Sequence, residues 1–412
     1  MSKKDAPSTE PYKGVRDFYP EDQAILRYFI HTAQKTAERF GYEEYHASIL
    51  EPAELYRGKT SQEIITEQVY SFTDRGGREV MLRPEMTPTI ARMVAARRRE
   101  MGFPLRLYSV PNVFRYERPQ RGRVREHWQL NIDLFGSKVH EAEAEIIAIA
   151  HATMRAFGAK DSDFTIRIGS RTFLNTLIEH YRLSEEQARA FRAHLDARAK
   201  MPLDEFESGL RTLGIPLEAL SSSNIPEDVE NVLSLLRTEQ ITNAVFAPDI
   251  VRGFDYYTGI VFEVFDTDPQ NTRSLFGGGR YDNLLALFDE EPVPAVGFGM
   301  GDVTLRDFLE THNLLPQYIP ATQLYISIPS SHTLTEAQSL AQRLRDKGIN
   351  VAIDFGEKKL SDQIRTADKH HIPYLIVVGE SEIQAKRYQL RKLSDGSETT
   401  CTEEELVSKI NG

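Results

Sequence analysis

Five arginines lie close together in the stretch FRYERPQRGRVREHW, residues 114–128. They are Arg115, Arg118, Arg121, Arg123 and Arg125. Because like charges repel one another on a short loop, this density calls for an anionic partner, and a guanidinium pairs bidentately with phosphate oxygens. The stretch therefore predicts a phosphate-binding loop. The alternative is a solvated ladder of ion pairs with Glu117 and Glu126.

Another arginine precedes the β-branched and aromatic run IVFEVF, residues 260–265, whose composition predicts a strand. It is Arg252, in the stretch VRGFDYYTG, residues 251–259. Burying a charge is costly unless it meets an opposite charge. We therefore expect Arg252 to face an anion, with Tyr256 and Tyr257 in the same pocket.

Three further stretches can bring polar groups or bare backbone to a ligand. LRPEMTP, residues 82–88, predicts a helix capped by Thr87 and leaves Glu85, beside Arg83, as a candidate amine-binding residue. The glycines of FGGGRYD (276–282) let the backbone approach a ligand closely, and the alternating glycines of GFGMGD (297–302) expose backbone on one strand face. The last stretch does not match a dinucleotide-binding fingerprint, because Asp302 replaces the final glycine.

The elements that must position these residues follow from hydrophobic periodicity. Helices are predicted at 20–42, 87–100 and 139–158, and a hairpin at 69–84. Strands are predicted at 105–117, 128–136 and 246–266, and amphipathic helices between about 170 and 244. After a proline-bearing linker (314–322), three short apolar runs alternate with helical patterns. This order predicts an α+β region followed by a small α/β domain with a mainly parallel sheet.

Composition limits the class of protein. The 412 residues carry a formal net charge of −11, which argues against a protein that coats nucleic acid nonspecifically. The single cysteine, Cys401, excludes a disulfide framework and a multi-thiolate metal site. The N-terminus has no apolar core of the kind a signal peptide needs, and no stretch approaches the length of a membrane span. We therefore expect a cytoplasmic protein.

Taken together and in this order, the motifs resemble those of the class II histidyl-tRNA synthetases. The resemblance runs from YKGVRDFYPED (12–22) to the C-terminus, and the RGFDYYTG element is specific to the histidine branch. It implies an α+β core with an antiparallel sheet flanked by helices, a helical insertion and a C-terminal α/β anticodon-binding domain. The implied segments are a first core part (1–168), the insertion (169–244), a second core part (245–315) and the anticodon-binding domain (322–412).

The resemblance also implies a two-step reaction. L-Histidine and ATP, the latter with Mg²⁺, give histidyl-adenylate and pyrophosphate, and the histidyl group then passes to the 3′ end of tRNA(His). A homodimer is implied through the 20–42 helix and the strand that ends at Pro52. No metal ligand is assigned to the protein itself.

Site residues are carried over by position. The implied catalytic residues are Arg115 and Arg252, and the implied ATP-binding residues are Arg115, Glu117, Arg123 and Arg252. The implied histidine-binding residues are Glu85, Thr87, Gln129, Asp133, Tyr256 and Tyr257. Gln120 and Arg121 would contact the acceptor end of the tRNA, and Lys358, Lys359, Arg365 and Lys369 are candidate contacts to tRNA phosphates.

Two positions depart from the family pattern. Thr304 stands where the family usually has an arginine that stacks on adenine, and Arg306 is nearby but out of register. Asp133 stands where a glutamate is common. The alternative function is that of the non-catalytic, synthetase-like regulatory subunits of ATP phosphoribosyltransferase. Those proteins usually lack the catalytic arginine and the C-terminal domain, and this chain has Arg252 and a C-terminal α/β pattern.

Overall fold

Backbone pairing between strands far apart in the sequence builds the fold. The computed structural model describes residues 8–57, 68–118, 120, 122–198, 201–221, 223, 225–251, 256–355 and 358–411. The chain forms two units, Met1–Pro316 and Gln317–Gly412. None of the helices in these ranges combines the length and the hydropathy that a membrane span requires.

The described part of the first unit carries nine α-helices. They are α1 (Pro20–Arg39), α2 (Glu54–Arg57), α3 (Thr87–Arg97), α4 (His140–Ala156), α5 (Arg171–His180), α6 (Glu185–Asp196), α7 (Leu203–Thr212), α8 (Glu227–Thr238) and α9 (Asp302–Thr311). The helices predicted at 20–42, 87–100 and 139–158 are confirmed as α1, α3 and α4. Thr87 as a cap is wrong: the N-cap is Met86, and Thr87 is the first helical residue.

The strands of this unit form a large sheet and a small one. They are β1 (Glu43–Glu44), β2 (Leu50–Pro52), β3 (Tyr70–Thr73), β4 (Glu79–Leu82), β5 (Leu105–Ser109), β6 (Asn112–Phe114), β7 (Glu126–Phe135), β8 (Phe164–Ser170), β9 (Ala244–Phe246), β10 (Ile260–Asp266), β11 (Ser274–Arg280) and β12 (Ala295–Gly301). The large sheet has the order β1-β5-β7-β12-β11-β10-β8-β9, and β6 pairs with β7. Its central pairs are antiparallel. The hairpin predicted at 69–84 is the β3–β4 pair, to which β2 adds. The α+β prediction is confirmed.

Register in the centre of the sheet aligns polar residues with glycines. Asp133 of β7 lies opposite Gly297 of β12, and Asn131 lies opposite Gly299. Gly299 in turn lies opposite Gly277 of β11, which lies opposite Glu263 of β10. Because side chains alternate between the two faces of a strand, these rows place acids and amides on one face with bare backbone between them.

Helix α4 covers the other face of the sheet. Its apolar residues, among them Ile146, Ile147 and Ile149, are fully buried with residues of β8 and β10 in the main core. Helices α1 and α8 pack against α4, which gives a layer of helices on one face of the sheet. Each fully buried aliphatic side chain of this kind contributes about 1.5–3 kcal/mol. The covered face leaves the opposite face available for a site.

The second unit has its own sheet and core. Its strands are β13 (Leu324–Ser327), β14 (Val351–Ile353), β15 (Tyr374–Val377), β16 (Tyr388–Lys392) and β17 (Glu398–Cys401), in the order β14-β13-β15-β16-β17. Its helices are α10 (Leu334–Asp346), α11 (Leu360–Lys369), α12 (Glu380–Ala385) and α13 (Glu403–Asn411). The three predicted apolar runs form the parallel strands β13, β14 and β15. Sequence analysis missed the antiparallel strands β16 and β17, so half of this sheet is not parallel.

A buried ion pair links α4 to the end of the central strand β11. Arg280, at the end of β11, donates from Nε and Nη2 to the two carboxylate oxygens of Glu143, each at 2.6 Å. Their side chains are 9% and 3% exposed. Arg280 also donates to the carbonyl oxygen of Ser137 and to Asp282. The arginine of the FGGGRYD stretch is therefore a structural residue.

Replacing Arg280 with methionine is expected to lower the free energy of unfolding by about 3–5 kcal/mol, because Glu143 is left buried without its partner. Urea unfolding followed by fluorescence measures this loss. The double variant Arg280→Met/Glu143→Met is the control and is expected to recover most of it, since both charges are gone. A double variant no more stable than the single one would contradict the assignment.

Candidate active site

A cavity of about 360 Å³ lies on the sheet face opposite α4, and it brings together residues from distant parts of the chain. It is lined by nine of the predicted site residues: Glu85, Thr87, Arg115, Glu117, Arg123, Gln129, Asp133, Tyr256 and Tyr257. Gln120 lies instead in an adjoining cavity. The other two predicted residues, Arg121 and Arg252, lie outside the described residues.

Glycine backbone makes part of the cavity floor. Gly297, Gly299 and Gly301 of β12 all line the cavity, as the alternation in GFGMGD predicts. A Cβ atom on Gly297 would lie 2.8 Å from Asp133 Oδ1, and one on Gly299 would lie 2.4 Å from Gln129 Nε2. Any side chain at these two positions would therefore collide with the polar residues of β7.

One end of the cavity combines carboxylates with aromatic rings. The Tyr256 hydroxyl donates to the Glu85 carboxylate at 3.2 Å, and the Tyr281 hydroxyl donates to Asp133 Oδ1. The Tyr256 ring lies 4.9 Å from the Tyr257 ring and 5.8 Å from the Tyr281 ring, measured between centroids. Carboxylates accept hydrogen bonds from amines and imidazoles, and the rings supply flat apolar walls. This end suits a small, cationic, aromatic ligand.

Burial sets the protonation states of Asp133 and Tyr281 at this end of the cavity. It raises the pKa of Asp133 to about 7, against the opposing effect of the hydrogen bond from Tyr281. Burial and the nearby Asp133 carboxylate raise the pKa of Tyr281 well above its ordinary value, so that hydroxyl stays a donor. An N–H donor on a ligand would restore to Asp133 the interactions that its charged form loses on leaving water.

Two arginines, Arg115 and Arg123, line the cavity. Arg115 donates from Nε to the Pro84 carbonyl oxygen at 2.9 Å, which anchors the side chain in the cavity wall. Arg123 forms an ion pair with Glu117, with Nε 3.3 Å from Oε2. Half-exposed guanidiniums of this kind can bind an anion such as a phosphate.

Other arginines singled out in the sequence serve the fold. Arg83 is almost fully buried and donates to the carbonyl oxygens of Ala47 and Asn112, so it does not join Glu85 in the cavity. Arg125 lies over the Tyr116 ring at 3.9 Å and donates to the Tyr12 hydroxyl, so the expectation that it belongs to the phosphate-binding group is wrong. These two arginines hold neighbouring segments in place.

Thr304 lines the end of the cavity that is formed by the first turn of α9. Its hydroxyl donates to the Leu275 carbonyl oxygen at 2.6 Å. Arg306 pairs instead with Asp22 and Glu310, so it does not replace an arginine at position 304. This end of the cavity therefore has no described arginine stacked over it.

Hydrogen bonds link the N-terminal segment to elements that line the cavity. Arg16 donates from Nη2 to Asp302 Oδ2 at 2.8 Å, and the backbone N–H of Trp128 donates to Asp302 Oδ1 at the same distance. Burial raises the pKa of Asp302, opposed by the charge of Arg16. One carboxylate thus joins the N-terminal segment, β7 and the first turn of α9. Sequence analysis missed this link.

Two further cavity residues could have been predicted from the alternation of side chains between the two faces of a strand. In β7 sequence analysis selected Gln129 and Asp133, whereas His127 and Asn131 lie on the same face and line the cavity too. Enclosure in the cavity wall lowers the pKa of His127 to about 3, and the charges of Arg115 and Arg16 act in the same direction. His127 is therefore neutral at physiological pH. Glu263, the only charge in IVFEVF, also lines the cavity.

Replacing Asp133 with asparagine is expected to stabilise the ligand-free protein increasingly as the pH rises. In the unfolded chain an aspartate titrates near ~3.9. Between that pH and about 7 the unfolded chain releases a proton that folded Asp133 retains, so the free energy of unfolding falls with rising pH. The variant lacks this loss, so its melting-temperature advantage should grow from about pH 4 to 7 and then level off. The exposed substitution Asp196→Asn is the control, and an advantage independent of pH would refute the assignment.

Known proteins share both the sequence and the fold. A family model described as histidyl-tRNA synthetase matches residues 14–303, and one described as an anticodon binding domain matches residues 323–412. A histidine–tRNA ligase from Leptospira biflexa is 40% identical over 425 residues, which cover 98% of this chain and 97% of that protein.

Solved structures with lower identity share the architecture. The histidyl-tRNA synthetase of a Nostoc species superposes with a TM-score of 0.83 at 22% identity, over 98% of this chain and 99% of that one. An ATP phosphoribosyltransferase regulatory subunit/histidyl-tRNA synthetase from Bacillus halodurans gives 0.73 at 24% identity, over 90% and 99%. The family model spans well over half of the sequence and the curated relative almost all of it; the chain therefore belongs to the histidyl-tRNA synthetase family.

Proposed function

We propose that this protein is a histidine–tRNA ligase that activates L-histidine with ATP and then transfers the histidyl group to the 3′ end of tRNA(His). The observation that carries the proposal is the cavity itself, in which an acidic and aromatic end adjoins a pair of arginines. The first end suits an amine and an imidazole, and the arginines suit phosphates. Membership of the family supports the same assignment.

The acidic end would orient the amino acid. Glu85 and Gln129 would bind the α-amino group together with Thr87, and Asp133 would accept a hydrogen bond from an imidazole N–H. Tyr256 and Tyr257 would form the aromatic wall. A pocket that pairs a buried carboxylate with a ring N–H rejects amino acids that lack that donor, because the carboxylate is then left unpaired.

The arginines would serve the first chemical step. A carboxylate oxygen of histidine attacks the α-phosphorus of ATP, the bond from that phosphorus to the bridging oxygen breaks, and pyrophosphate leaves. Negative charge grows on the α-phosphate, so fixed cations contribute most of the catalysis. Arg115 would contact the α-phosphate and Arg123 the outer phosphates. Arg252 is assigned the α-phosphate and the carboxylate from sequence alone.

Magnesium would arrive with ATP. Among the described residues, no group of three or more acidic, histidine or cysteine side chains is placed to hold a metal ion. Glu117 and Glu263 line the cavity and fit the usual arrangement, in which one or two carboxylates join substrate phosphates around the ion. The ion would neutralise charge on the outer phosphates.

The remaining parts would bind tRNA and a second copy of the chain. Gln120 and Arg121 would contact the acceptor end, and the unit from Gln317 would contact the anticodon region, with Lys358, Lys359, Arg365 and Lys369 facing phosphates. We propose a homodimer formed through α1 and β2. The division into core parts, insertion and anticodon-binding domain at 168, 244, 315 and 322 and the cytoplasmic location belong to the same proposal.

Histidine is expected to support exchange of labelled pyrophosphate into ATP, because the first step is reversible and needs no tRNA. The measurement is incorporation of label into ATP with histidine, with each of a panel of other amino acids, and without amino acid. Exchange with histidine alone supports the ligase and contradicts a non-catalytic regulatory subunit. Absence of exchange with histidine would overturn the proposed function.

Replacing Arg115 with alanine is expected to lower the rate of pyrophosphate exchange by roughly 10²–10³-fold, because one fixed cation at the developing charge is lost. The dissociation constant for histidine, measured by calorimetry, should change far less, since Arg115 is assigned to phosphate. Arg306→Ala is the matched control, because Arg306 pairs with Asp22 and Glu310. A collapse of histidine binding with an unchanged rate would refute this role for Arg115.

A further inference from the structure

A second cavity, of about 340 Å³, adjoins the candidate active site. The two cavities share Gly122, Leu275 and Thr304 in their walls. The far wall of the second one comes from residues 270–273, with Gln120 and Asp307 beside them. Its volume lies in the range of ordinary small-molecule pockets, about 300–1,000 Å³.

The partition between the two cavities is thin. The hydrogen bond from the Thr304 hydroxyl to the Leu275 carbonyl oxygen, at 2.6 Å, fixes the direction of the small threonine side chain. Across from it lies Gly122, at φ +75°, where a Cβ atom would be 3.9 Å from Thr304 Cγ2. Asp307 Oδ2 is nearer, at 3.7 Å from the same Cβ position, so the junction is bounded by the Thr304 methyl group, Gly122, the Asp307 carboxylate and Leu275.

The far wall is held by a polar network. Asn271 donates from Nδ2 to Asp266 Oδ2 at 2.7 Å and to the Thr311 hydroxyl at 3.0 Å. The Asp266 side chain is fully buried, and its other oxygen lies 2.8 Å from His312 Nε2. Because a buried carboxylate with several partners fixes the groups around it, the loop 270–273 is anchored to the end of α9.

The position of the junction between the two cavities indicates which part of a bound ligand would contact it. The acids and tyrosines suit histidine, and the arginines suit phosphates. The walls left for the nucleobase include Thr304 and the apolar side chains of Leu275 and Val303. These apolar side chains suit the faces of a flat ring. The base of a bound nucleotide would then have an edge toward Thr304 and the second cavity.

We propose that the second cavity is a subsite for a substituent on the nucleobase, so that the enzyme uses adenine nucleotides enlarged on the base as well as ATP itself. Thr304 is the residue that determines this specificity. The proposal rests on the proposed function, because it assigns the base end of the ATP site. The amides of Gln120 and Gln270 and the hydroxyl of Thr272 suit a substituent that combines an apolar stem with a polar tip.

The test compares ATP with ATP analogues that carry a benzyl-sized group at N6, C2 or C8, in histidine-dependent pyrophosphate exchange. The unmodified protein is expected to use at least one analogue with kcat/KM within about tenfold of that for ATP. In Thr304→Arg the long side chain enters the junction, and the ratio of kcat/KM for that analogue to kcat/KM for ATP is expected to fall by at least about tenfold, mainly through KM.

Two further variants separate this effect from a general defect. Thr272→Trp narrows the second cavity from its far wall, and the same ratio is expected to fall although Thr272 does not line the first cavity. Thr176→Arg makes the same chemical change as Thr304→Arg on the exposed face of α5, and the ratio is expected to stay at the unmodified value.

The outcomes are distinct. If ATP supports exchange and none of the three analogues does, the subsite is refuted while the proposed function stands. If an analogue is used equally well by the unmodified protein and by Thr304→Arg and Thr272→Trp, the assignment of the second cavity is refuted. If ATP itself supports no histidine-dependent exchange, it is the proposed function that fails.

Discussion

The pairing of β7 with β12 fixes the geometry on which the candidate site depends. In alternate residue pairs of these strands an acid or amide of β7 lies beside a glycine of β12, as with Asp133 and Gly297. A shift of one residue would turn every one of those side chains toward the helical layer. The buried face prevents that shift, because it would bring polar groups into the apolar core beneath α4. Packing on one face thereby specifies chemistry on the other.

The same arrangement concentrates energetic cost at the site. Asp133 and Glu85 are buried acids, and burial raises the pKa of Asp133 to about 7 although the hydrogen bond from Tyr281 opposes it. For Asp133 the Tyr281 hydroxyl compensates only in part, since a neutral donor does not replace the solvation of a full charge. A ligand with N–H donors would complete that compensation. Asp133 is thus buried at a cost in stability, a trade of stability against ligand recognition that functional sites commonly show.

Much of this site could be predicted from the sequence, and the failures have physical reasons. Nine of the twelve predicted site residues line one cavity, because motif residues are close in sequence to the turns and strands that present them. Arg125 was misjudged, since a guanidinium that binds a tyrosine has the same local sequence signature as one that binds phosphate. The pair between Arg280 and Glu143 spans 137 positions, and no local pattern reports such a partner. Strands β16 and β17 are short and polar, so they lack the apolar runs that identified β13 to β15.

The link between Arg16 and Asp302 has a consequence for the time at which the site can form. The two residues are separated by 286 positions, and the carboxylate also holds Trp128 in the strand that carries the polar residues of the cavity. At a synthesis rate of roughly 5–20 residues per second, Asp302 leaves the ribosome about 15–60 s after Arg16. The hydrogen bond from Arg16 therefore cannot form until most of the first unit has been synthesised. The cavity is therefore completed only near the end of the synthesis of the first unit.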